Sequence, residues 1–161
     1  MKKSAVAVQD ALDRHGITSR VVELPASTRT AKDAAEAIGC DVAQIAKSII
    51  FRLKDSNTAV LVIASGSNRI DEKIVSKLVD ASIEQADPNF VRTVTGFAIG
   101  GVPPTGHTNQ LKTFIDTDIF QFEKIWAAAG TPNAVFCLSP AELELISGGT
   151  LAAVSKAPDA N

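Results

Sequence analysis

Ile49-Ile50-Phe51-Arg52-Leu53 and Ala59-Val60-Leu61-Val62-Ile63-Ala64 are two apolar runs, rich in β-branched residues, that decide the fold class. The turn-forming residues Asp55-Ser56-Asn57 lie between them, and this order predicts a β-hairpin. On both sides of the hairpin, segments with helical spacing alternate with further strand candidates. Because helices and hairpins are interspersed, the sequence predicts an α/β fold around one curved, mixed sheet.

Apolar periodicity and capping residues define the remaining predicted elements. Helices are expected at 4–15, 31–38, 41–46, 71–79 and 139–146, and a helical turn at 87–88. Strands are expected at 17–24, 49–53, 59–64, 112–116, 124–128, 133–138 and 151–154. The chain shows neither an internal repeat nor a linker, so residues 1–161 are predicted to form a single domain, with 155–161 as a polar, fraying tail.

Composition and charge restrict the function classes. The 161 residues carry a net charge of −2, whereas proteins that coat a nucleic-acid duplex have a basic surplus. This balance argues against DNA binding but allows a local basic patch that grips one RNA end. The chain has neither the apolar core of a signal peptide nor a run long enough to span a membrane. We therefore expect a cytoplasmic protein whose two cysteines, Cys40 and Cys137, are buried thiols.

Several common kinds of active site are not predicted. The two histidines and two cysteines are far apart, with no HxxxH or CxxC spacing, so no metal site and no cofactor are expected. A nucleophile elbow of the GxSxG type and a phosphate-binding GxxxxGK[ST] loop are both absent. His15 lies at a predicted helix end, where interaction with the helix dipole is its simplest role.

A dense cluster of glycine and proline runs from Thr95 to His107: Thr-Gly-Phe-Ala-Ile-Gly-Gly-Val-Pro-Pro-Thr-Gly-His. The simplest interpretation is a tight crossover between strands, but that explains one or two of these residues better than six. A glycine pair also lets a ligand approach the backbone, so that amide groups can stabilise a developing oxyanion. His107 has two equally weighted roles, contact with substrate or exposure to solvent.

Lys47 is the second candidate. It is placed where the helix predicted at 41–46 gives way to an apolar strand. Most lysines are solvated surface charges, but one held at the mouth of a sheet can pair with a phosphate or a carbonyl. The adjacent Ser48 either donates a hydrogen bond to a ligand or simply begins the strand.

These two segments, Ala46-Lys47-Ser48-Ile49-Ile50-Phe51 and the stretch from Thr95 to Gly106, resemble the YbaK/ProX family. Ala34-Ala35 with Gly39, Ala129-Gly130 and Leu138-Ser139-Pro140 extend the resemblance over nearly the whole chain. Members of that family are trans-editing aminoacyl-tRNA deacylases, and their fold also occurs as an insertion domain of bacterial prolyl-tRNA synthetases. The resemblance implies a single domain whose curved sheet is barrel-like and surrounded by helices.

The resemblance also implies a site. Lys47 matches the family lysine that helps to hold the tRNA acceptor end, and with Gly100 and Gly101 it forms the implied catalytic set. Six further residues are implied to bind substrate: Ser48, Val102, Pro103, Pro104, Gly106 and His107. Family members often have Thr or Asn at the position of Ser48, and His107 is not general among them, so both bear on amino-acid specificity.

The predicted function is hydrolysis of the ester of mischarged tRNA, with tRNA(Pro) as the family-based first choice. An aminoacyl ester is already reactive, so a positioned water and a stabilised oxyanion are sufficient. The predicted partner is a tRNA acceptor end carrying a wrong amino acid, with prolyl-tRNA synthetase as an optional second partner and with neither DNA nor membrane. The alternatives are a non-catalytic module that binds tRNA or a synthetase, and a hydrolase of another small acyl ester.

Overall fold

The computed structural model describes residues 1–156. Its five α-helices are α1 Lys3–Arg14, α2 Ala31–Ile38, α3 Glu72–Val79, α4 Pro88–Thr95 and α5 Pro140–Ser147. Its strands are β1 Val22–Glu23, β2 Ala46–Leu53, β3 Ala59–Ser65, β4 Ile83–Gln85, β5 Lys112–Asp116, β6 Ile125–Ala128, β7 Ala134–Leu138 and β8 Thr150–Ala152. Two 3₁₀ turns occupy Val42–Gln44 and Thr117–Gln121. Within these residues no helix is both long and apolar enough to cross a membrane.

The strands form two sheets in place of the single sheet expected. The larger has the order β4-β2-β3-β5-β8 and is mixed, because β2 pairs antiparallel with β3 and β4, whereas β3–β5 and β5–β8 are parallel. The smaller, β1-β7-β6, is antiparallel. The mixed α/β fold is therefore confirmed. The expected single barrel-like sheet is not observed, since neither sheet closes on itself within residues 1–156.

Strand β3 is the centre of the molecule. All its residues are buried, so the strand is covered on both faces, which is consistent with its continuous apolar sequence. Leu61 and Ile63 pack in one core cluster with α1 and β7, whereas Val60 and Val62 pack in another with Val75 of α3. The central hairpin thus connects both halves of the core.

Helix boundaries follow the expected capping chemistry. The side chains of Thr30, Asp71, Asp87 and Ser139 each accept a hydrogen bond from a first-turn backbone N–H, which satisfies a donor that the helix leaves free. Gly39 ends α2 in the left-handed conformation. The first helix was expected to begin at Ser4, but α1 already begins at Lys3, so Ser4 is not its cap.

The sequence-based boundaries differ from the structure in several places. Strand β1 spans two residues of the eight expected at 17–24, and the helix expected at 41–46 is a 3₁₀ turn. β2 begins at Ala46 in place of Ile49, and β4 was not predicted. The expected tail is partly ordered, since Ser155 bridges to Ile70 and the backbone N–H of Lys156 donates to the carbonyl of Arg69. Residues 157–161 lie outside the described part of the chain.

Candidate functional site

A cavity of about 350 Å³ lies between the two sheets. Its walls come from the segment leading into α2, the first half of β2, the end of β4, strand β6 and the glycine-proline loop. The residues lining it are Thr28, Arg29, Thr30, Ala31, Ala34, Ile45, Ala46, Lys47, Ser48, Ile49, Ile50, Gln85, Ala86, Val91, Ile99, Gly100, Val102, Trp126, Ala127, Ala128 and Val135.

Strand pairing explains why the cavity lies here. β2 pairs with β3 from Ala46 to Arg52, but on its other side it pairs with β4 only from Phe51 to Leu53. The first half of β2 faces β6 across this uncovered edge, and Ile45 and Trp126 form the bridge that joins the two sheets at one end. The cavity therefore occupies the gap that separates the sheets.

Lys47 is the second residue of β2 and lies inside the strand, not at the helix-to-strand junction expected from the sequence. Its Nζ donates a hydrogen bond to the backbone carbonyl of Asn68 at 2.5 Å. Partial burial lowers the pKa of Lys47, and the positive charge of Arg69 lowers it further. The lysine is thus a half-buried cation beside a second cation, which is an arrangement that favours an anionic or carbonyl ligand.

Ser48 shares a strand face with Ala46 and Ile50, both of which belong to the main core cluster. Its Oγ is buried and has no hydrogen-bond partner within the described chain. A hydroxyl buried in this way costs about 1–3 kcal/mol. Ser48 lines the cavity, and a hydrogen bond from its Oγ to a ligand would remove this cost.

The glycine-proline loop is divided between the cavity and the protein interior. Gly100 and Val102 line the cavity, whereas Gly101 does not. The N–H of Gly101 donates to the carbonyl of Ala98 at 3.0 Å, so it is already engaged inside the loop. The backbone N–H groups of Gly100 and Val102 have no acceptor within residues 1–156. Of the two glycines expected to stabilise an oxyanion, only Gly100 has the free donor that this role requires.

The end of the loop faces elsewhere. Pro104, Gly106 and His107 line a second cavity of about 340 Å³, together with His15. Nε2 of His107 donates to the carbonyl of Pro103 at 2.6 Å, and its ring meets that of Phe97 edge-on. Burial lowers the pKa of His107, with the Pro103 hydrogen bond acting in the opposite direction. These residues fix the shape of the loop, and the structure does not bring them together with Lys47.

Of the predicted site residues, only Lys47, Ser48, Gly100 and Val102 line the cavity; Arg29, Ile99 and Trp126 are three of the lining residues that the sequence did not identify. Arg29 was assigned to a polar loop, and Ile99 lay unremarked within the glycine-proline stretch. Trp126 was assigned to a strand. A lone arginine among Ser, Thr and Ala is a weak signal, because surface arginines are common.

Metal and thiol chemistry receive no support from the described residues. Within residues 1–156, no three His, Cys, Asp or Glu side chains are grouped as metal ligands. Cys40 and Cys137 are free thiols, as expected, but both are only half-buried. Desolvation raises the pKa of each thiol, so neither is an activated nucleophile.

The profile of the family described as the aminoacyl-tRNA editing domain matches residues 25–145. The chain belongs to this family. The match includes both segments that carried the resemblance and all the residues that line the cavity. The family resemblance inferred from the sequence is thereby confirmed.

Three proteins of known sequence or structure are similar to this editing domain. The uncharacterized protein YwhH of Bacillus subtilis is 33% identical over 127 residues, which is 79% of this chain and 80% of YwhH. A proline–tRNA ligase of Thermosipho melanesiensis is 32% identical over 84 residues, which is 52% of this chain but only 14% of the ligase. The crystal structure of a candidate trans-editing enzyme for prolyl-tRNA synthetase is 45% identical, with a TM-score of 0.90, and the alignment covers 98% of this chain and 99% of that one.

Proposed function

We propose that this editing domain is a deacylase that hydrolyses the ester of mischarged tRNA in the cytoplasm, with tRNA(Pro) as its first candidate substrate. The observation that carries the proposal is the position of Lys47 and Gly100 on the walls of one cavity. A cation and a free backbone N–H are the two groups that stabilise the charge developing on an ester carbonyl. The relative described as a candidate trans-editing enzyme for prolyl-tRNA synthetase supports the choice of tRNA.

The reaction follows from these groups. A water attacks the ester carbonyl, the oxygen of the tetrahedral intermediate accepts from the loop amide, and the ester bond breaks to release the amino acid and the tRNA. The cavity lining contains no His, Asp or Glu, so a side-chain general base is not available among the lining residues. The proton of the attacking water therefore passes, through a second water or the neighbouring ribose hydroxyl, to the ester oxygen that leaves as a hydroxyl of the tRNA.

The size of the cavity restricts what enters it. About 350 Å³ accommodates a small molecule but not a tRNA acceptor stem. Only the aminoacyl group and part of the terminal nucleoside can be enclosed, and the rest of the tRNA must lie outside. Amino-acid choice is then made by the apolar wall, where Ala34, Ile50 and Trp126 leave few polar contacts. Such a wall separates amino acids mainly by size.

The deciding experiment is a deacylation panel. tRNA(Pro) charged with Cys, Ala, Ser, Thr or Pro is incubated with the wild-type protein, with Lys47→Ala and with the control Lys77→Ala, an exposed lysine of α3. We expect hydrolysis of at least one mischarged species, its loss in Lys47→Ala, and wild-type rates in Lys77→Ala. Tight binding of the same tRNAs without turnover would instead identify a non-catalytic binding module.

A further inference from the structure

The lining of the cavity is positively charged, whereas the whole chain has a negative net charge. Arg29 and Lys47 are the only residues in its lining that are charged at neutral pH, and both are cations, although the whole chain has a net charge of −2. No Asp or Glu lines the cavity to neutralise them. Positive charge concentrated in a cleft raises the local concentration of anions. The cavity is therefore suited to a ligand that carries a negative charge.

Arg29 is held in place on both sides. The preceding residue, Thr28, is buried, and its Oγ1 donates to the carbonyl of Pro132 at 3.0 Å. The following residue, Thr30, caps α2 by accepting a hydrogen bond from the N–H of Asp33 at 3.1 Å. The backbone of Arg29 is thus fixed between a buried anchor and a helix start, and its exposed side chain begins from a defined position.

The stem of Arg29 lies against Gly100. A Cβ placed on Gly100 would come within 2.5 Å of Cγ and 3.4 Å of Cα of Arg29. The glycine of the loop therefore provides the space through which the arginine stem passes. The sequence suggested that this glycine lets a ligand approach the backbone, and the structure shows that it also positions a side chain 71 residues earlier in the chain.

The guanidinium of Arg29 has no carboxylate within 4 Å in the described part of the chain. A positioned and unneutralised guanidinium is well suited to a phosphate, which accepts two parallel hydrogen bonds from it. An aminoacyl ester is itself uncharged, and its α-amine is a cation or neutral. The anion nearest the ester in an RNA substrate is the phosphate that joins the last two nucleotides.

We propose that Arg29 binds the phosphate between the last two nucleotides of the RNA substrate, and that Gly100 positions it there. This inference rests on the proposed function for the identity of the RNA. Arg29 binds the nucleotide portion of the substrate, whereas Lys47 and the Gly100 amide contact the ester. The division predicts that Arg29 governs binding of the RNA and leaves the chemical step unchanged.

The test compares two RNAs that differ by one charge. One is an acceptor-stem minihelix that ends in CCA and carries no amino acid. The other is the same RNA with a neutral methylphosphonate linkage between its last two nucleotides. Both are titrated against the wild-type protein, Arg29→Gln and the control Lys32→Gln, which changes an exposed cation outside the cavity lining. Thermal melts show whether each variant is folded.

We expect the wild-type protein and Lys32→Gln to bind the methylphosphonate RNA about tenfold more weakly, as loss of one charged hydrogen-bonded contact implies. Arg29→Gln should bind both RNAs equally and show a smaller salt dependence, by about 0.7 in the slope of log K against log salt. The inference is overturned if Arg29→Gln still distinguishes the two RNAs, or if the wild-type protein does not.

Kinetics with two aminoacyl esters then separate this inference from the proposed function. With a mischarged minihelix, Arg29→Gln should raise KM about tenfold and leave kcat unchanged. With 3′-O-aminoacyl-adenosine, which lacks the phosphate, it should change neither constant. Equal losses on both esters would place Arg29 at the aminoacyl group and overturn the inference. If the wild-type protein hydrolyses neither ester but Arg29 still determines the RNA discrimination, the phosphate site stands and the deacylase proposal fails.

Discussion

Nζ of Lys47 donates to the backbone carbonyl of Asn68 at 2.5 Å, and the side-chain amide of the same Asn68 donates to Oδ2 of Asp118 at 2.8 Å and of Asp116 at 3.3 Å. Asp116 and Asp118 thus fix the side chain of Asn68, and the carbonyl of Asn68 binds the lysine. Neither carboxylate forms an ion pair with Lys47 itself. The ammonium is oriented without being neutralised, and two of its N–H groups remain for a ligand.

Replacing Lys47 with Met should separate activity from stability. We expect kcat/KM on a mischarged minihelix to fall at least a hundredfold, since a cation that stabilises developing charge is lost. Folding lowers the pKa of Lys47 below its usual 10.5. Between the folded-state pKa and 10.5, the unfolded chain therefore binds more protons than the folded chain. Lys47 consequently makes the stability of the wild-type protein rise with pH in this range. The variant should lack this rise. Kinetics and denaturant titrations at pH 7 and pH 10 check both effects, and unchanged kcat/KM would remove Lys47 from the site.

Asn68 should matter through the lysine that it positions. In Asn68→Ala the loop loses its bonds to Asp116 and Asp118, and we expect a loss of about tenfold in kcat/KM from a misplaced ammonium. A looser and wetter loop should also move the pKa of Lys47 back toward its usual value, shifting the alkaline limb of the pH–rate profile upward. Asn57→Ala is the matched control, because Asn57 is an exposed amide that accepts from Arg52. A fall in rate with an unmoved alkaline limb would indicate a structural role alone.

Much of the fold follows from local sequence signals. The caps at Thr30, Asp71, Asp87 and Ser139 were all among the predicted helix starts, because a helix needs acceptors for its first N–H groups wherever it lies. The apolar run at 59–64 predicted strand β3, and the structure shows that all residues of this strand are buried. Lys47 was identified as a site residue only because it occurs together with the glycine-proline loop, since a single lysine before a strand is by itself a weak sign of a binding site.

The features that were missed depend on contacts between distant parts of the chain. One sheet was expected, but the cavity separates β2 from β6, and no local pattern records a gap between strands. Gly100 and Arg29 are 71 positions apart, so the sequence offers no signal that the glycine accommodates the arginine. His107 was given two roles, substrate contact or exposure to solvent, and its bond to the carbonyl of Pro103 inside the loop was not foreseen.

His107 should make the protein less stable in mild acid. Burial lowers the pKa of its imidazole below 6.5, so as the pH falls through 6.5 the unfolded chain takes up a proton before the folded one does. Stability is then lost until the pH reaches the folded-state pKa. In His107→Gln, whose amide can still donate to Pro103, this loss should disappear. Melting curves between pH 7.5 and pH 5 check it, and an unchanged pH dependence in His107→Gln would contradict it.

The paired glycines of the loop should respond differently to the same substitution. Gly101 is buried, and a Cβ there would lie 2.9 Å from backbone atoms of Thr131 and 3.0 Å from the carbonyl carbon of Gly130. The N–H of Gly130 also donates to the carbonyl of Gly101 at 2.9 Å, so neither backbone segment can shift freely. We expect Gly101→Ala to lose about 1–3 kcal/mol of stability from overpacking, with little change in KM for the fraction that remains folded. A place in the catalytic set, which the family resemblance implied for Gly101, would instead make activity suffer more than stability.

Gly100→Ala should instead act mainly on substrate binding. Its φ of +89° strains any L-residue, and this strain costs about 1 kcal/mol. The new Cβ would also meet the stem of Arg29, which can move aside because its side chain is exposed. Displacing that arginine should raise KM for an aminoacyl minihelix but not for aminoacyl-adenosine. Gly39→Ala is the matched control, since Gly39 has a similar φ of +85° and no atom within 4 Å of the added Cβ. It should reproduce the strain and leave KM unchanged. If Gly100→Ala and Gly39→Ala behave alike in both melts and kinetics, Gly100 serves the turn alone and does not position Arg29.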